Sequence, residues 1–272
     1  MSKNALAHYK GDMLIFGCGT MAGAMLTRWL SSGLSPERVI ALRPSGAQAQ
    51  AGVQTVSTPD GLGRPDILIV GVKPQIFPDV AHEIAALAGP DTLVISIIAG
   101  IALEDLRLAL PDAGAIVRAM PNLPVADGQG VIAIVGDVAD NRLNMLMAPL
   151  GHVHRMDGEN GFNLVTALTG CGPAFVYRFV AGMAGAAVRL GLNEKDADTL
   201  ARAMVDGASS SLAASSLSLN EMADAVASPG GMTQAGLDVL DSDGRLTALL
   251  AETLRASRDR GRELAAESQR PV

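Results

Sequence analysis

The sequence lacks most features that mark a secreted, membrane-bound or nucleic-acid-binding protein. It has only two cysteines, Cys18 and Cys171, and no CxxC pair, so a disulfide framework is excluded and a reducing, cytoplasmic compartment is favoured. We find no uninterrupted apolar run near the roughly 20 residues of a membrane-spanning helix. Residues 1–11 are polar, so we expect no signal peptide there. The net charge of −7 and the absence of a basic run argue against binding nucleic acid or a membrane surface.

The composition is that of a folded protein, with 49% hydrophobic and 18% charged residues in 272. Between Asp12 and Arg155, short apolar runs alternate with amphipathic stretches that resemble helices. The runs are near-continuous rather than alternating, which is typical of parallel strands covered on both faces. Alternation of strand and helix predicts a doubly wound α/β domain. The candidate strands are Met13–Phe16, Val39–Leu42, Ile67–Val72, Thr92–Ile98, Ala115–Val117 and Val131–Val135.

The strand pattern stops at Glu159, and the remainder of the chain is predicted to be helical. Residues 162–190 form a long apolar stretch that is interrupted at Gly170–Pro173. Gly191 is a typical helix stop, and Asn193 is a typical N-cap for the next helix. We therefore predict a Rossmann-like domain over residues 1–158 and an all-helical dimerisation domain over 159–272. Its many Ala, Gly and Ser residues suit an intertwined helical interface.

A glycine-rich segment directly follows the first apolar run and opens the first predicted helix. Its pattern is G-x-G-x-x-A, which in this context predicts binding of a dinucleotide pyrophosphate at the helix N-terminus. Glycine permits the tight turn and close approach of the phosphate, and the alanine permits close packing of helix on strand. An ordinary strand–turn–helix is the alternative. The cofactor-binding residues predicted here are Gly17, Gly19, Thr20, Met21 and Ala22.

The end of the second strand favours NADP over NAD. An NAD site usually places an acidic residue there to bind the ribose 2′-hydroxyl, whereas this chain has Arg43, and its next acid is Asp60. A guanidinium in that position suits a 2′-phosphate. The alternative is that Arg43 is a solvated loop residue. We predict NADPH as the cofactor, with NADH as the second choice.

Several further segments together resemble pyrroline-5-carboxylate reductase. The resemblance extends from about residue 12 to 264, and the last of its signatures is highly specific. Ala22 stands where the family often has glycine, and Met232 where a small residue is common. The matching segments are VKPQ at 72–75, S-x-x-A-G-I at 96–101, R-x-M-P-N-x-P at 118–124, L-T-G-x-G-P-A-F at 168–175 and S-P-G-G-x-T-x-x-G-L at 228–237.

The resemblance implies reduction of the cyclic imine 1-pyrroline-5-carboxylate to L-proline with NAD(P)H, the last step of proline synthesis. It also implies a homodimer formed through the C-terminal helices, which in turn can form larger homo-oligomers. The substrate would then lie between the nicotinamide and the helices of the partner. Asn122 is expected to bind the nicotinamide carboxamide or the ribose, or else to stabilise a Pro-Asn turn. The other cofactor-binding residues it implies are Val72, Lys73, Pro74, Ala99 and Gly100.

The segment from Ser228 to Thr233 suits a small anionic substrate. Two glycines lead into a predicted helix, whose free N–H groups would bind the carboxylate without a cationic side chain. Thr233 is the expected catalytic residue, because the resemblance places it at the ring nitrogen, which its hydroxyl can hydrogen-bond, while water shares the proton transfer. The alternative is an ordinary helix start with Thr233 as its cap. The predicted substrate-binding residues are Ser228, Gly230, Gly231, Met232 and Thr233.

Other kinds of site have little support in the sequence. His152 and His154 would share one face of a strand, but no cluster of Cys, His or acidic residues completes a metal site, so none is predicted. Two alternative functions stay open. One is an NADP-dependent reductase of another small imine or of a hydroxy or oxo acid, and the other is a non-catalytic nucleotide sensor.

Overall fold

The computed structural model describes residues 4–137 and 139–268 of the chain. The described residues form a single eight-stranded sheet, in which each strand is at most seven residues long. The strands are β1 (Met13–Phe16), β2 (Val39–Leu42), β3 (Gln54–Val56), β4 (Ile67–Val70), β5 (Leu93–Ser96), β6 (Ala115–Met120), β7 (Gly130–Gly136) and β8 (Gly151–Arg155).

The strand order is β3-β2-β1-β4-β5-β6-β7-β8, so the direction of winding reverses between β1 and β4. The first six strands are parallel, which confirms the predicted doubly wound sheet. In contrast to the prediction, β7 runs antiparallel to β6. β3 has only three residues and is absent from the predicted strands, whereas β8 is the strand on which His152 and His154 are predicted to share a face, although it is not an apolar run.

Ten helices accompany the sheet in the described part of the chain. Buried residues of α1 lie on one face of the helix, and among them Trp29 donates from Nε1 to the carbonyl of Leu146 at 2.7 Å. Two apolar clusters cover the two faces of the sheet. The helices are α1 (Thr20–Ser31), α2 (Phe77–Leu87), α3 (Leu103–Ala109), α4 (Asn141–Met147), α5 (Phe162–Thr169), α6 (Gly172–Arg189), α7 (Glu194–Ala214), α8 (Leu219–Ala225), α9 (Met232–Asp241) and α10 (Arg245–Ser268).

The chain divides into two compact units that differ from the two predicted segments. The first comprises residues 1–171 together with 256–272, and the second comprises residues 172–255. Helix α5 belongs to the first unit because Phe162 packs against Ala133 and Val135 of β7. The predicted boundary after residue 158 therefore separates α5 from the unit that this helix contacts. All elements described after β8 are helices, as the sequence predicts.

The second unit is built around the contacting pair α6 and α7, and its helices bury little. Gly191 has a φ of 109°, and Asn193 caps α7 by accepting from the amide of Asp196 at 2.9 Å, as predicted. Within residues 172–255 only Ala197 and Ala201 are buried. Large apolar side chains such as Phe179 and Met183 are exposed instead.

The expectation that no apolar stretch approaches the length of a membrane-spanning helix is wrong. By length and composition, the helical stretch Phe162–Arg189 is apolar enough to cross a membrane, and almost none of it is buried within the chain. Gly170 and Cys171 interrupt this stretch in the sequence, and the structure does divide it there into α5 and α6. The second part of the stretch, α6, contains the charged residue Arg178.

Candidate active site

The glycine loop after β1 is fixed by the ends of its neighbouring strands. The amides of Gly17 and Cys18 both donate to the carbonyl of Leu42 on β2, at 3.2 Å. Gly17 has a φ of +89°, and a Cβ on it would lie 2.8 Å from the backbone nitrogen of Val72. Only glycine therefore fits this turn.

The N-terminus of α1 is open to a ligand. Its N-cap is Gly19, which offers no side chain to the first-turn amides, and the first turn carries no acidic residue. Nothing lies within 4 Å of where a Cβ on Gly19 would be. The N–H groups of Thr20, Met21 and Ala22 precede the first intrahelical bonds, so the positive end of the helix is available to an anion. A pyrophosphate is the group that such a strand–turn–helix binds.

Arg43 follows β2 at the same edge of the sheet. Its backbone amide donates to Val56 at 2.9 Å, and its guanidinium donates to the carbonyl of Gln48 at 3.1 Å. The residue as a whole is half-buried, and the hydrogen bond of its guanidinium lies at the exposed surface. Burial raises the pKa of the Cys18 thiol, and the positive charge of Arg43 opposes this shift. Cys18 is thus a buried thiol within the glycine loop, an environment that disfavours the reactive thiolate.

The loops after β4 and β5 reach the same edge, because parallel strands place their carboxyl ends together. Lys73 is exposed and precedes a short 3-10 turn that begins with Pro74. Ala99 is exposed, and Gly100 has a φ of +80°, with space for a Cβ limited by the backbone of Ala265 at 3.2 Å. The structure therefore brings the predicted glycine loop, Arg43 and both loops to one edge of the sheet.

Asn122 has protein partners on both sides of its carboxamide. Its Nδ2 donates to the carbonyl of Thr169 at 2.9 Å, and its Oδ1 accepts from the amide of Val131 at 2.9 Å. The side chain is 6% exposed. Asn122 therefore links the end of β6, the start of β7 and the end of α5, and its contact with nicotinamide or ribose stays a prediction.

The second unit presents the predicted substrate segment at the start of α9. Gly230 has a φ of +69°, and Gly231 is the N-cap of the helix, donating its amide to Ser228 at 2.8 Å. The alternative that Thr233 caps this helix is thus wrong. Met232 is 95% exposed, and Thr233 is exposed as well. The helix has no acidic residue in its first turn, so its N-terminus is also open to an anion.

Arg118 lies outside these loops and belongs to the R-x-M-P-N-x-P motif. It is a buried arginine paired with Glu159. This pairing was not predictable because the two residues are 41 positions apart. Among the described residues, no group of three or more His, Cys, Asp and Glu side chains is arranged to hold a metal ion.

The chain is similar to known proteins over nearly its whole length. Residues 159–264 match the family model described as pyrroline-5-carboxylate reductase dimerisation, and residues 13–100 match one described as NADP oxidoreductase, coenzyme F420-dependent. A pyrroline-5-carboxylate reductase of Synechocystis is 34% identical over 262 residues, which are 92% of this chain and 97% of the relative. The chain belongs to the pyrroline-5-carboxylate reductase family.

Other members of the family support the same assignment. The enzyme of Pisum sativum is 31% identical over 91% of this chain and 94% of its own length. The solved reductase of Coxiella burnetii has a TM-score of 0.83 at 27% identity, covering 94% of this chain and 98% of that one. The solved Plasmodium falciparum enzyme, with NADP bound, has the same fold with a TM-score of 0.82 at 24% identity, covering 94% and 98% of the two chains.

These relatives confirm the predicted family, fold class and enzyme class. The protein is a pyridine-nucleotide-dependent oxidoreductase that reduces pyrroline-5-carboxylate to proline. The presence of the family's dimerisation domain confirms that the chain oligomerises. The family model for that domain begins at residue 159, where the strand pattern of the sequence stops.

Proposed function

We propose that this member of the family uses NADPH bound at the carboxyl edge of the parallel strands. The observation that carries the proposal is the open N-terminus of α1, with Arg43 at the end of the neighbouring strand. The pyrophosphate would bind the amides of Thr20, Met21 and Ala22, beside Gly17 and Gly19. The 2′-phosphate would then lie by Arg43, where an NAD enzyme carries an acid.

The loops after β4 and β5 would border the rest of the nucleotide. Val72, Lys73 and Pro74 form one of them, and Ala99 with Gly100 forms part of the other. Asn122 enters this proposal as a positioning residue, because both ends of its carboxamide are occupied by backbone groups. NADH lacks the 2′-phosphate and would bind the same edge more weakly.

The start of α9 is the proposed site for the substrate carboxylate. The amides of Met232 and Thr233 precede the first intrahelical bond, which Ala235 donates to Gly231, so they are available as donors. The amide of Gly231 is bonded to Ser228, and Gly231 therefore contributes the shape of the turn rather than a donor. The Ser228 hydroxyl and the left-handed Gly230 complete the proposed substrate-binding set.

The proposed chemistry needs neither a metal nor a covalent intermediate. Protonation of the imine makes its carbon electrophilic, and hydride from the nicotinamide then adds to that carbon. The protein has to bind the carboxylate, align the ring and assist protonation of the nitrogen. The Thr233 hydroxyl would donate a hydrogen bond to the nitrogen of the neutral imine and accept one from its N–H once it is protonated, with water sharing the proton transfer because a hydroxyl is a weak acid.

The proposed assembly is a cytoplasmic homodimer formed through the C-terminal helices, able to associate further. The apolar side chains exposed on α6 and α7 support this, because a lone chain would leave them in water. The net negative charge supports the absence of nucleic-acid and membrane partners.

The cofactor assignment can be tested with Arg43→Ala, using Arg38→Ala as the matched control. Arg38 lies before the opposite end of β2 and pairs with Asp12 on the surface. We expect Arg43→Ala to raise the KM for NADPH by roughly 10–100-fold, the effect of losing a hydrogen bond to a charged group, and to leave the KM for NADH unchanged. Equal effects on both cofactors would show that Arg43 does not bind a 2′-phosphate.

The catalytic assignment can be tested with Thr233→Val and Thr233→Ser, assayed with 1-pyrroline-5-carboxylate. We expect the valine variant to lower kcat by about 10–100-fold through loss of the hydrogen bond that the hydroxyl accepts from the charged iminium N–H, with NADPH affinity unchanged. The serine variant keeps the hydroxyl and should retain most of the activity. Unchanged turnover in the valine variant would remove Thr233 from the mechanism, and a wild-type enzyme inactive on the imine would refute the proposed function.

A further inference from the structure

Arg118 occupies an unusual position for a charged residue. It lies on β6, is 6% exposed, and its guanidinium stacks over the ring of Phe162 at 4.3 Å from the centroid. One of its terminal nitrogens pairs with Glu159, just before α5. Its Nε is buried and has no hydrogen-bond partner among the described residues. A buried arginine with an unpaired donor adds little net stability, because an apolar residue of similar volume would avoid the desolvation cost.

Glu159 connects this arginine to the loop that follows β5. Both carboxylate oxygens accept from the amide of Leu103, each at 3.0 Å. Leu103 is the first residue of α3, so Glu159 satisfies an amide that has no partner within the helix. The preceding amide, of Ala102, donates to Asp105 at 3.3 Å. The end of the Ile97–Ala102 loop is therefore held by a carboxylate whose own position depends on Arg118.

The Ile97–Ala102 loop lies on the nicotinamide side of the proposed site. Each half of a Rossmann sheet binds one mononucleotide of the cofactor. In the proposed function Arg43, at the end of β2, lies by the 2′-phosphate, which belongs to the adenosine half of the cofactor. The adenosine half would therefore bind at the β1–β3 side of the sheet. The loop follows β5, on the other side of the reversal, and therefore borders the nicotinamide half.

We propose that Arg118 and Glu159 are positioning residues that hold the Ile97–Ala102 loop in the conformation that binds the nicotinamide half of the cofactor. The proposal rests on the proposed function, since it takes the cofactor to be NADPH. Neither side chain needs to touch the nucleotide. Arg118 orients Glu159, and Glu159 fixes the backbone at Leu103, four residues after Ala99.

The test compares two ligands that share the adenosine half. NADPH and adenosine 2′,5′-bisphosphate both contact the β1–β3 side, but only NADPH has a nicotinamide half. We expect Glu159→Gln and Arg118→Met to raise the Kd of NADPH by ~10-fold or more in isothermal titration calorimetry, equivalent to at least about 1.4 kcal/mol. The Kd of adenosine 2′,5′-bisphosphate should stay within about twofold of the wild-type value.

The matched control is Asp140→Asn, which disrupts another partly buried ion pair of the same unit. Asp140 bonds to Arg142 and caps α4, and Arg142 in turn bonds to the carbonyls of Asp66 and Asp91, next to the starts of β4 and β5. The pair therefore lies at the opposite edge of the sheet. The control should lower stability without changing the ratio of the two dissociation constants.

The outcomes separate positioning from a general loss of structure. Arg118→Lys keeps the charge but loses the planar group over Phe162, and should give an intermediate Kd for NADPH. Equal weakening of both ligands, or no change in either, would overturn the proposal. If Arg118→Met does not fold by circular dichroism, Glu159→Gln decides, because it keeps the volume and an acceptor oxygen. A wild-type protein that binds neither ligand would instead refute the proposed cofactor.

Discussion

The two units of this chain bury very different amounts of apolar surface. In the first, every residue of β1 and β4 is buried, and the two faces of the sheet are covered by continuous apolar clusters. In the second, only Ala197 and Ala201 are buried among residues 172–255, while Phe179, Met183 and many other apolar side chains are exposed. Because burial of apolar surface is the main stabilising contribution in folding, the first unit is stable through its own contacts. The second leaves apolar side chains exposed, which the proposed dimer would cover.

The largest predicted effect comes from charging the exposed face of α6. The double variant Phe179→Glu, Met183→Glu places two carboxylates where we expect an apolar interface, and burying an unpaired charge costs far more than removing an apolar side chain. The assembly should dissociate, as measured by light scattering. Turnover should fall by roughly 100-fold or more, a change of about 2.7 kcal/mol.

The control for this variant uses an apolar residue exposed on the first unit. Leu108 of α3 is 77% exposed, and Leu108→Glu should change neither the mass of the assembly nor the turnover. If the α6 variant kept the wild-type mass and activity, the exposed apolar face would not be an interface, and the contrast between the units would need another explanation.

A more local effect is expected from truncating one apolar side chain in each unit. Ile69→Ala in β4 removes a fully buried side chain and should lower the free energy of unfolding by about 2–5 kcal/mol in urea titrations. Leu249→Ala in α10 removes one that is 62% exposed, and should cost under about 0.5 kcal/mol within the chain itself. Its main effect should be weaker association, measured as a higher dissociation constant of the assembly. A loss of chain stability equal to that of Ile69→Ala would contradict this contrast.

The fold was predictable where sequence pattern and burial coincide. Near-continuous apolar runs predict the central strands, since those strands are covered on both faces. The polar strand β8, Gly151–Arg155, gives no such pattern, and its place in the sheet comes from pairing with β7. The antiparallel direction of β7 likewise depends on its neighbours and not on its own residues.

The candidate site was predictable from the sequence where backbone groups alone form it. The glycine loop and the start of α9 depend on local turns, so a short motif defines them. The partners of Asn122 could not be predicted, because Thr169 is 47 residues away in sequence and comes close only when α5 packs on the sheet. The link from Arg118 through Glu159 to Leu103 is non-local for the same reason.

The smallest predicted effect concerns Tyr9, a residue of the first unit whose buried polar group lacks a hydrogen bond. Its hydroxyl is buried and has no hydrogen-bond partner among the described residues. Burial, together with the negative charge of Asp66, raises the pKa of this hydroxyl above its ordinary value. The folded state therefore keeps a proton that the unfolded state loses above about pH 10, so stability should fall as the pH rises through that range.

Tyr9→Phe should raise the free energy of unfolding by ~1 kcal/mol near neutral pH, since it removes an unsatisfied buried group. It should also weaken the loss of stability at alkaline pH. Urea titrations at neutral and alkaline pH measure both effects, and a less stable phenylalanine variant at neutral pH would show that the hydroxyl has a stabilising partner.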